Sequence, residues 1–253
     1  MGYFYRMEKN VLITGAGRGI GAATAIMAAA KGYRVFVNYR SNSDAARQVV
    51  HTIRERGGRA EAIAADVSNE EAVLHLFRLI DAAGPLHALV NNVGILETQM
   101  RVEDMSAARL QRILSANVLS CFLCTREAIR RMSTRHGGTG GAIVNVSSVA
   151  ARTGSPGEYV DYAASKGAMD VFTLGVAKEV AEEGIRVNGV RPGFIYTDIH
   201  ALGGEPGRVD RVKGSVPMKR GGYPEEVASA ILWLLSDEAS FATGTFIDIS
   251  GGR

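Results

Sequence analysis

Asn10-Val11-Leu12-Ile13-Thr14-Gly15-Ala16-Gly17-Arg18-Gly19-Ile20-Gly21 is a short apolar run that breaks into glycines and continues as an alanine-rich stretch to Ala30. The apolar run has the length of a buried strand and the alanine-rich stretch that of a helix. Glycines let the backbone turn sharply between the two. Such a turn presents a helix N-terminus, with free N–H groups and the positive end of its dipole, beside a strand's carboxyl end, which suits a pyrophosphate. The spacing departs from G-x-G-x-x-G, because Ile20 stands where the last glycine would be. By itself the cluster also fits a tight packing turn. Its place at the head of an alternating chain favours nucleotide binding.

Outward from this turn the alternation continues to the end of the chain. Strands are expected at 10–14, 34–38, 60–65, 87–91, 141–146, 185–190 and 245–249. Helices are expected up to 30, over 44–56, after a capping box at Ser68-x-x-Glu71, and over 105–132, 159–182 and 224–235, with Gly184 as a stop. Apolar strands alternating with helices predict an α/β, doubly wound fold: a seven-stranded, mainly parallel sheet with helices on both faces. No linker or repeat divides it, so 1–253 is expected to be one domain. Residues 193–222 are rich in Gly, Pro and charge and are expected to form an irregular lid, with Tyr196, His200, Leu202 and Met218 as possible substrate contacts.

Composition narrows the classes. The chain has 253 residues, 46% hydrophobic and 22% charged, with a formal net charge of +3. The basic residues are scattered, which argues against a nucleic-acid partner. No apolar run reaches the ~18 residues of a membrane span. Residues 1–10 lack a signal-peptide core, Met7 is an alternative start, and Arg6 breaks the myristoylation pattern that Gly2 would open. The expected location is the cytoplasm. Cys121-x-x-Cys124 has no second cysteine pair to close a zinc site, so buried thiols and no metal are expected.

Strand two ends Asn38-Tyr39-Arg40-Ser41, without the acid that binds the ribose 2′-OH of NAD. Arg40 can instead make charge-assisted bonds to a 2′-phosphate, and Arg18 in the glycine turn is a second candidate. The cofactor expected is NADP(H) rather than NAD(H). Beyond strand five, Tyr162 and Lys166 lie four apart on a helix and share one face. The other such pair, Tyr5 and Lys9, precedes the first strand. An ammonium beside a phenol favours phenolate and makes it an acid/base. Ser147 and Ser148 end strand five, where a hydroxyl can bond a reacting oxygen.

With Thr14-Gly15-x-x-x-Gly19-x-Gly21, Asp66 after strand three, Asn91-Asn92-Val93-Gly94 after strand four, Tyr162-x-x-x-Lys166, and Pro192-Gly193 after strand six, the chain resembles the short-chain dehydrogenase/reductase family. The resemblance runs from about Val11 onward. It implies an oxidoreductase moving a hydride between nicotinamide and a small-molecule carbonyl or alcohol. It implies Tyr162 as acid/base, Lys166 holding the nicotinamide ribose, Ser148 as the better match for the family's serine with Ser147 as fallback, and Asn117 anchoring water behind the lysine. Tyr159 is a weaker alternative to Tyr162. Gly15, Gly17, Arg18, Gly19, Ile20, Asn38, Tyr39, Arg40, Asp66, Val67, Asn92 and Gly94 are expected to line the dinucleotide. Pro192, Gly193, Ile195 and Thr197 are expected near its carboxamide. A homotetramer is also implied, with Phe122, Leu123, Phe172 and Leu174 as interface candidates. A 3-oxoacyl-thioester reductase and a glucose-type sugar dehydrogenase are the alternatives within the family, and Glu183 before Gly184 weighs against an acidic carrier. A nucleotide sensor without catalysis is the competing class.

Overall fold

Seven parallel strands lie side by side in the order β3-β2-β1-β4-β5-β6-β7 in the computed structural model, which describes residues 9–253. Gly2, Arg6, Met7 and the Tyr5 of the second Tyr/Lys pair lie outside the described residues. In chain order the elements are β1 (Lys9–Ile13), α1 (Gly19–Ala30), β2 (Tyr33–Tyr39), α2 (Ser43–Glu55), β3 (Arg59–Ala64), α3 (Glu70–Asp81), β4 (Leu86–Asn91) and α4 (Ala107–Leu114). There follow α5 (Ser120–Met132), β5 (Gly141–Val146), α6 (Ala150–Thr153), α7 (Val160–Glu179), β6 (Ile185–Pro192), α8 (Ile199–Leu202), α9 (Arg208–Val212), α10 (Pro224–Leu235) and β7 (Phe246–Ile249).

Alternation along each strand sends successive side chains to opposite faces. Val11 and Ile13, with Val35, Val37, Val90 and Val144, pack against Ala25, Ala28, Val49, Ile53, Ile231 and Leu235 of α1, α2 and α10. Leu12, Phe36, Leu89, Ile143 and Val187 pack on the other face against Leu76, Phe77, Leu123, Cys124, Met132 and Val176 of α3, α5 and α7. Both faces are covered, so the strands carry apolar side chains on both sides, as the sequence predicts. β1 pairs with both β2 and β4, so the strand order reverses there. The crevice beyond the carboxyl ends at such a reversal is where ligands bind in open parallel sheets.

Three local expectations are corrected. The helix after strand three is capped by Asn69, whose side chain accepts from the Ala72 N–H at 2.9 Å. Ser68 instead donates its hydroxyl to Asp66 Oδ1 at 2.6 Å, so the Ser68–Glu71 capping box does not form. The helix expected over 105–132 is α4 and α5 joined by a single π-helical turn, Ser115–Leu119. The 194–222 segment is not wholly irregular: it carries α8, α9 and a short 3₁₀ turn. Gly184, at φ +76°, ends the 3₁₀ turn that follows α7, as the stop signal predicts. Among the described residues no helix is long and apolar enough to cross a membrane.

Candidate active site

The strand ends converge on one cavity of about 880 Å³, within the upper part of the size range of small-molecule sites. All the residues expected to line a dinucleotide border it, as do Ser148, Tyr162 and Lys166. Asn117 does not; its neighbour Ala116 does.

At one end is the glycine turn. Gly15 has φ +61°, and a Cβ there would stand 3.1 Å from Val93 Cγ2; Gly19 has φ +54° and would bring a Cβ to 3.3 Å from Thr197. At both positions a side chain would be strained. Arg18 opens α1 with extended backbone and no side-chain cap, and the first turn holds no acidic residue. The first N–H groups of α1 therefore point into the cavity without side-chain partners, as an anion site requires. Thr14 and Asn92 hold this turn to the end of β4: Thr14 Oγ1 accepts from the Asn92 and Val93 N–H groups at 2.9 and 3.1 Å, and Asn92 Nδ2 donates to Thr14 O at 2.9 Å. Asn38 is buried and braces the turn from the other side, its Oδ1 accepting from Gly15 N–H and its Nδ2 donating to Ala65 O. Arg18 is exposed, and Arg40 makes only a loose 4.0 Å ion pair with Asp66. The residues present thus fit a nicotinamide dinucleotide: glycines where a Cβ would intrude, an uncapped helix end, and two accessible guanidinium groups.

At the other end are Ser148, Tyr162 and Lys166. Burial pushes the Tyr162 phenol up to about 12, while a hydrogen bond with Ser148 pulls the other way. Ser148 therefore faces the phenol, and Ser147 donates to the Lys166 carbonyl at 3.2 Å. Lys166 Nζ donates to Val146 O at 2.7 Å and lies 5.6 Å from the centre of the Tyr162 ring. Burial pulls its pKa down to about 8, partly opposed by the Asp170 carboxylate. A Cβ on Gly94 would stand 3.2 Å from Lys166 Nζ and 3.9 Å from Asn117 Oδ1, so these three meet. The Asn117 amide is fully used: Oδ1 accepts from Ile95 N–H at 2.8 Å, and Nδ2 donates to Ile95 O and Ser165 Oγ. Tyr159 donates its hydroxyl to Gly203 O at 3.1 Å and ties down the lid.

Several contributors carry no motif. Arg109 and Asp161 form a buried ion pair at 2.7 Å, and Asp161 also accepts from the Tyr162 N–H at 2.9 Å. Asn91, Thr125, Asn145 and Thr173 form a buried hydrogen-bonded chain beneath the site. The Cys121 thiol joins that chain at Asn145 Oδ1. Burial pushes the Cys121 thiol up to about 12 and raises that of Cys124 as well, which suits inert buried thiols. Their only sequence signal is that polar residues recur on otherwise apolar strands and helices. Of the lid residues, His200 and Leu202 border the cavity. Tyr196 and Met218 do not: Tyr196 bonds Asp210 and stacks near Tyr223, and Met218 is exposed. Glu183 is buried and held by Ser133 and Arg135, so it presents no free carboxylate to an acidic carrier.

A family model described as enoyl-(acyl carrier protein) reductase matches residues 15–253. The chain is 61% identical over 243 residues to the uncharacterized oxidoreductase YgfF of Escherichia coli K12, covering 96% of this chain and 98% of that one. It is 40% identical over 248 residues to a 3-oxoacyl-[acyl-carrier-protein] reductase of Synechocystis, covering 95% of each. A solved short-chain type dehydrogenase/reductase from Mycobacterium marinum is similar at a TM-score of 0.89 and 34% identity, over 96% of this chain and 94% of that one. With the sheet order, the glycine turn and the Tyr162–Lys166 helix already in place, these likenesses identify the chain as a member of the short-chain dehydrogenase/reductase family, an oxidoreductase that acts on CH–OH groups with a nicotinamide dinucleotide.

Proposed function

We propose that this enzyme is an NADP(H)-dependent reductase of a small-molecule carbonyl, running in reverse as an alcohol dehydrogenase, with Tyr162 as its acid/base. The observation that carries the proposal is continuity: one cavity runs from Arg18 and Arg40, past the glycine turn, to Ser148, Tyr162 and Lys166. One domain, 1–253, holds both cofactor and substrate, with 193–222 as the lid.

When bound, the dinucleotide supplies or accepts the hydride. The chain's own residues do the rest. Gly15, Gly17, Gly19 and Ile20 with the start of α1 hold the pyrophosphate; Asn38 and Tyr39 shape the adenosine side, with Asp66 and Val67. Arg40 and Arg18 take the 2′-phosphate. Asn92, Gly94, Pro192, Gly193, Ile195 and Thr197 orient the nicotinamide, and Lys166 holds its ribose.

In reduction, Tyr162 gives its proton to the carbonyl oxygen, and Ser148 donates a hydrogen bond to the same oxygen. Burial keeps the phenol protonated near neutral pH, the form that reduction uses. In oxidation the phenol must first lose its proton, and the positive charges of Lys166 and oxidised nicotinamide lower that cost. The Asn117 side chain is occupied, so its backbone carbonyl in the π turn is the group that anchors water behind Lys166.

A 3-oxoacyl thioester is a second substrate reading, supported by the Synechocystis relative's activity and by the withdrawal of Glu183 as an objection. The assembly proposed is a homotetramer: Phe122 and Phe172 stack at 3.9 Å on a face with exposed Leu119, Val171 and Leu174, an apolar patch suited to a partner.

The cofactor assignment is tested by Arg40→Ala. A lost charge-assisted bond is worth about 1.5–3 kcal/mol, so NADPH should bind roughly tenfold or more weakly, with NADH nearly unaffected. Equal losses for both cofactors in fluorescence titrations would refute the NADP(H) assignment.

A further inference from the structure

Beyond β7 the chain turns back toward the cavity. Gly251 and Gly252 take left-handed backbone, at φ +66° and +94°; a Cβ on Gly251 would stand 2.8 Å from Val216 Cγ1, and one on Gly252 3.1 Å from Pro217. The Met218 N–H donates to Gly251 O at 3.1 Å, and Ser250 Oγ donates to Arg253 O at 3.0 Å. Ser250 packs on Gly193, where a Cβ would come within 2.9 Å of Ser250 Cα. Together these contacts hold Arg253 over the start of the lid, with its guanidinium 4.4 Å from the centre of the Phe194 ring. Arg253 and Phe194 both border the cavity that holds Ser148, Tyr162 and Lys166.

Arg253 is exposed as well as cavity-lining, so a ligand there can reach it. Apart from the Phe194 ring, its side chain has no partner among the described residues. The neighbouring charges are already committed. Arg208, 5.5 Å from the same ring, pairs with Glu158, which is also held by Arg211. Lys166 donates to the Val146 carbonyl. Asp198 follows Thr197, whose Cγ2 packs where a Cβ on Gly19 would stand 3.3 Å away, so it belongs with the glycine turn.

The Phe194 ring marks the carbonyl end of the cavity. Arg208 lies between it and the Tyr159 ring, 4.8 Å from the latter, and Tyr159 is the N-cap of α7, on which Tyr162 follows. One unpaired cation therefore stands at the substrate end, placed there by two left-handed glycines and a packed serine. A planar guanidinium bonds both oxygens of a carboxylate through parallel N–H groups. A neutral ester offers no such pair.

We infer that Arg253 is the recognition group for a carboxylate on the substrate, so that the preferred substrates are oxo acids, reduced to the matching hydroxy acids. This rests on the carbonyl chemistry proposed at Tyr162. The carbonyl carbon gains one hydride from NADPH and its oxygen gains the Tyr162 proton. The carboxylate is unchanged and anchors the far end of the molecule.

The test compares 3-oxobutanoate and 5-oxohexanoate with their methyl esters. Two readings are taken: kcat/KM by NADPH consumption, and binding to the NADP⁺-loaded enzyme by calorimetry. At least one acid should exceed its ester by about tenfold, the scale of one charge-assisted pair. Arg253→Gln should bring that ratio toward one, and Arg253→Lys should keep part of it. Raising KCl from about 0.05 to 0.5 M should shrink the ratio in wild type but not in Arg253→Gln. NADPH affinity should be unchanged in both variants. Esters that match or outrun their acids overturn the inference, as does an acid preference that survives Arg253→Gln. A tenfold or so loss of NADPH affinity in Arg253→Gln assigns the guanidinium to the cofactor and overturns it too. Ester turnover without acid preference removes the carboxylate site alone. If neither acids nor esters are reduced, the Tyr162 chemistry fails, and calorimetry decides the site separately: acids that do not bind, or bind no better than esters, overturn it.

Discussion

Lys166 shows how a single residue ties stability to function. Its ammonium is buried, and among the described residues no carboxylate pairs with it directly; its hydrogen bonds go to the Val146 carbonyl and the Met169 sulfur. Burial lowers its pKa from 10.5 to about 8, an unfavourable charge burial of roughly 3 kcal/mol. The folded protein bears that cost whenever Lys166 is charged, below about pH 8. As pH rises from there toward the unfolded value, the unfolded chain keeps its proton and the folded one releases it, so the cost is relieved and stability rises. Lys166→Met should therefore be more stable than wild type at pH 7 by up to about 3 kcal/mol, with the gap closing toward pH 10. Urea unfolding at both pH values measures it, and a pH-independent gap would contradict the burial argument. Tyr162 and Lys166 were singled out by their spacing only together with their place beyond strand five and the family resemblance. Which serine faces the phenol was not settled by spacing alone, because Ser147 and Ser148 are adjacent and point different ways; the Lys166 carbonyl claims Ser147.

At the scale of elements, the first turn of α7 is held by α4. Arg109 Nε donates to Asp161 at 2.7 Å and Nη1 donates to Thr98 O at 2.7 Å, which joins α4, the 98–100 segment and the backbone of Tyr162. Removing the arginine leaves a carboxylate buried without its partner. Arg109→Met should cost about 3–5 kcal/mol. Arg112→Ala, which breaks a more exposed pair with Glu97, should cost no more than about 1 kcal/mol. Denaturant melts of the two variants compare them directly, and similar small losses would show that the Arg109 pair does not hold the helix. The strands were legible because their apolar runs are short and bounded by turn residues. The π turn was not: Ser115-Ala-Asn117-Val-Leu119 suits an α-helix equally well, and it is the contact of Asn117 with Ile95 and Ser165 that fixes the wider turn locally. At α3 the capping box expected at Ser68 does not form because Ser68 bonds Asp66, and Asn69 caps the helix instead.

For the whole molecule, the parallel order of the strands explains why motifs scattered from Thr14 to Thr197 reach one place. Each begins at a strand's carboxyl end, and parallel strands bring all those ends to the same edge. That much follows from alternation alone. The lid does not, because α8 and α9 are too short to show a period and depend on long-range contacts: Arg208 with Glu158, and Tyr159 with Gly203. For the same reason His200 stood only as one of four possible lid contacts, and Arg208 was not singled out.

The central claim is that the Tyr162 hydroxyl delivers the proton. Single-turnover and steady-state NADPH oxidation by Tyr162→Phe, beside Tyr159→Phe, tests it most directly. Tyr162→Phe should still bind NADPH in fluorescence titrations but lose roughly two to four orders of magnitude in turnover, while Tyr159→Phe retains most of it. Turnover by Tyr162→Phe within about tenfold of wild type, or a greater loss in Tyr159→Phe, would contradict it.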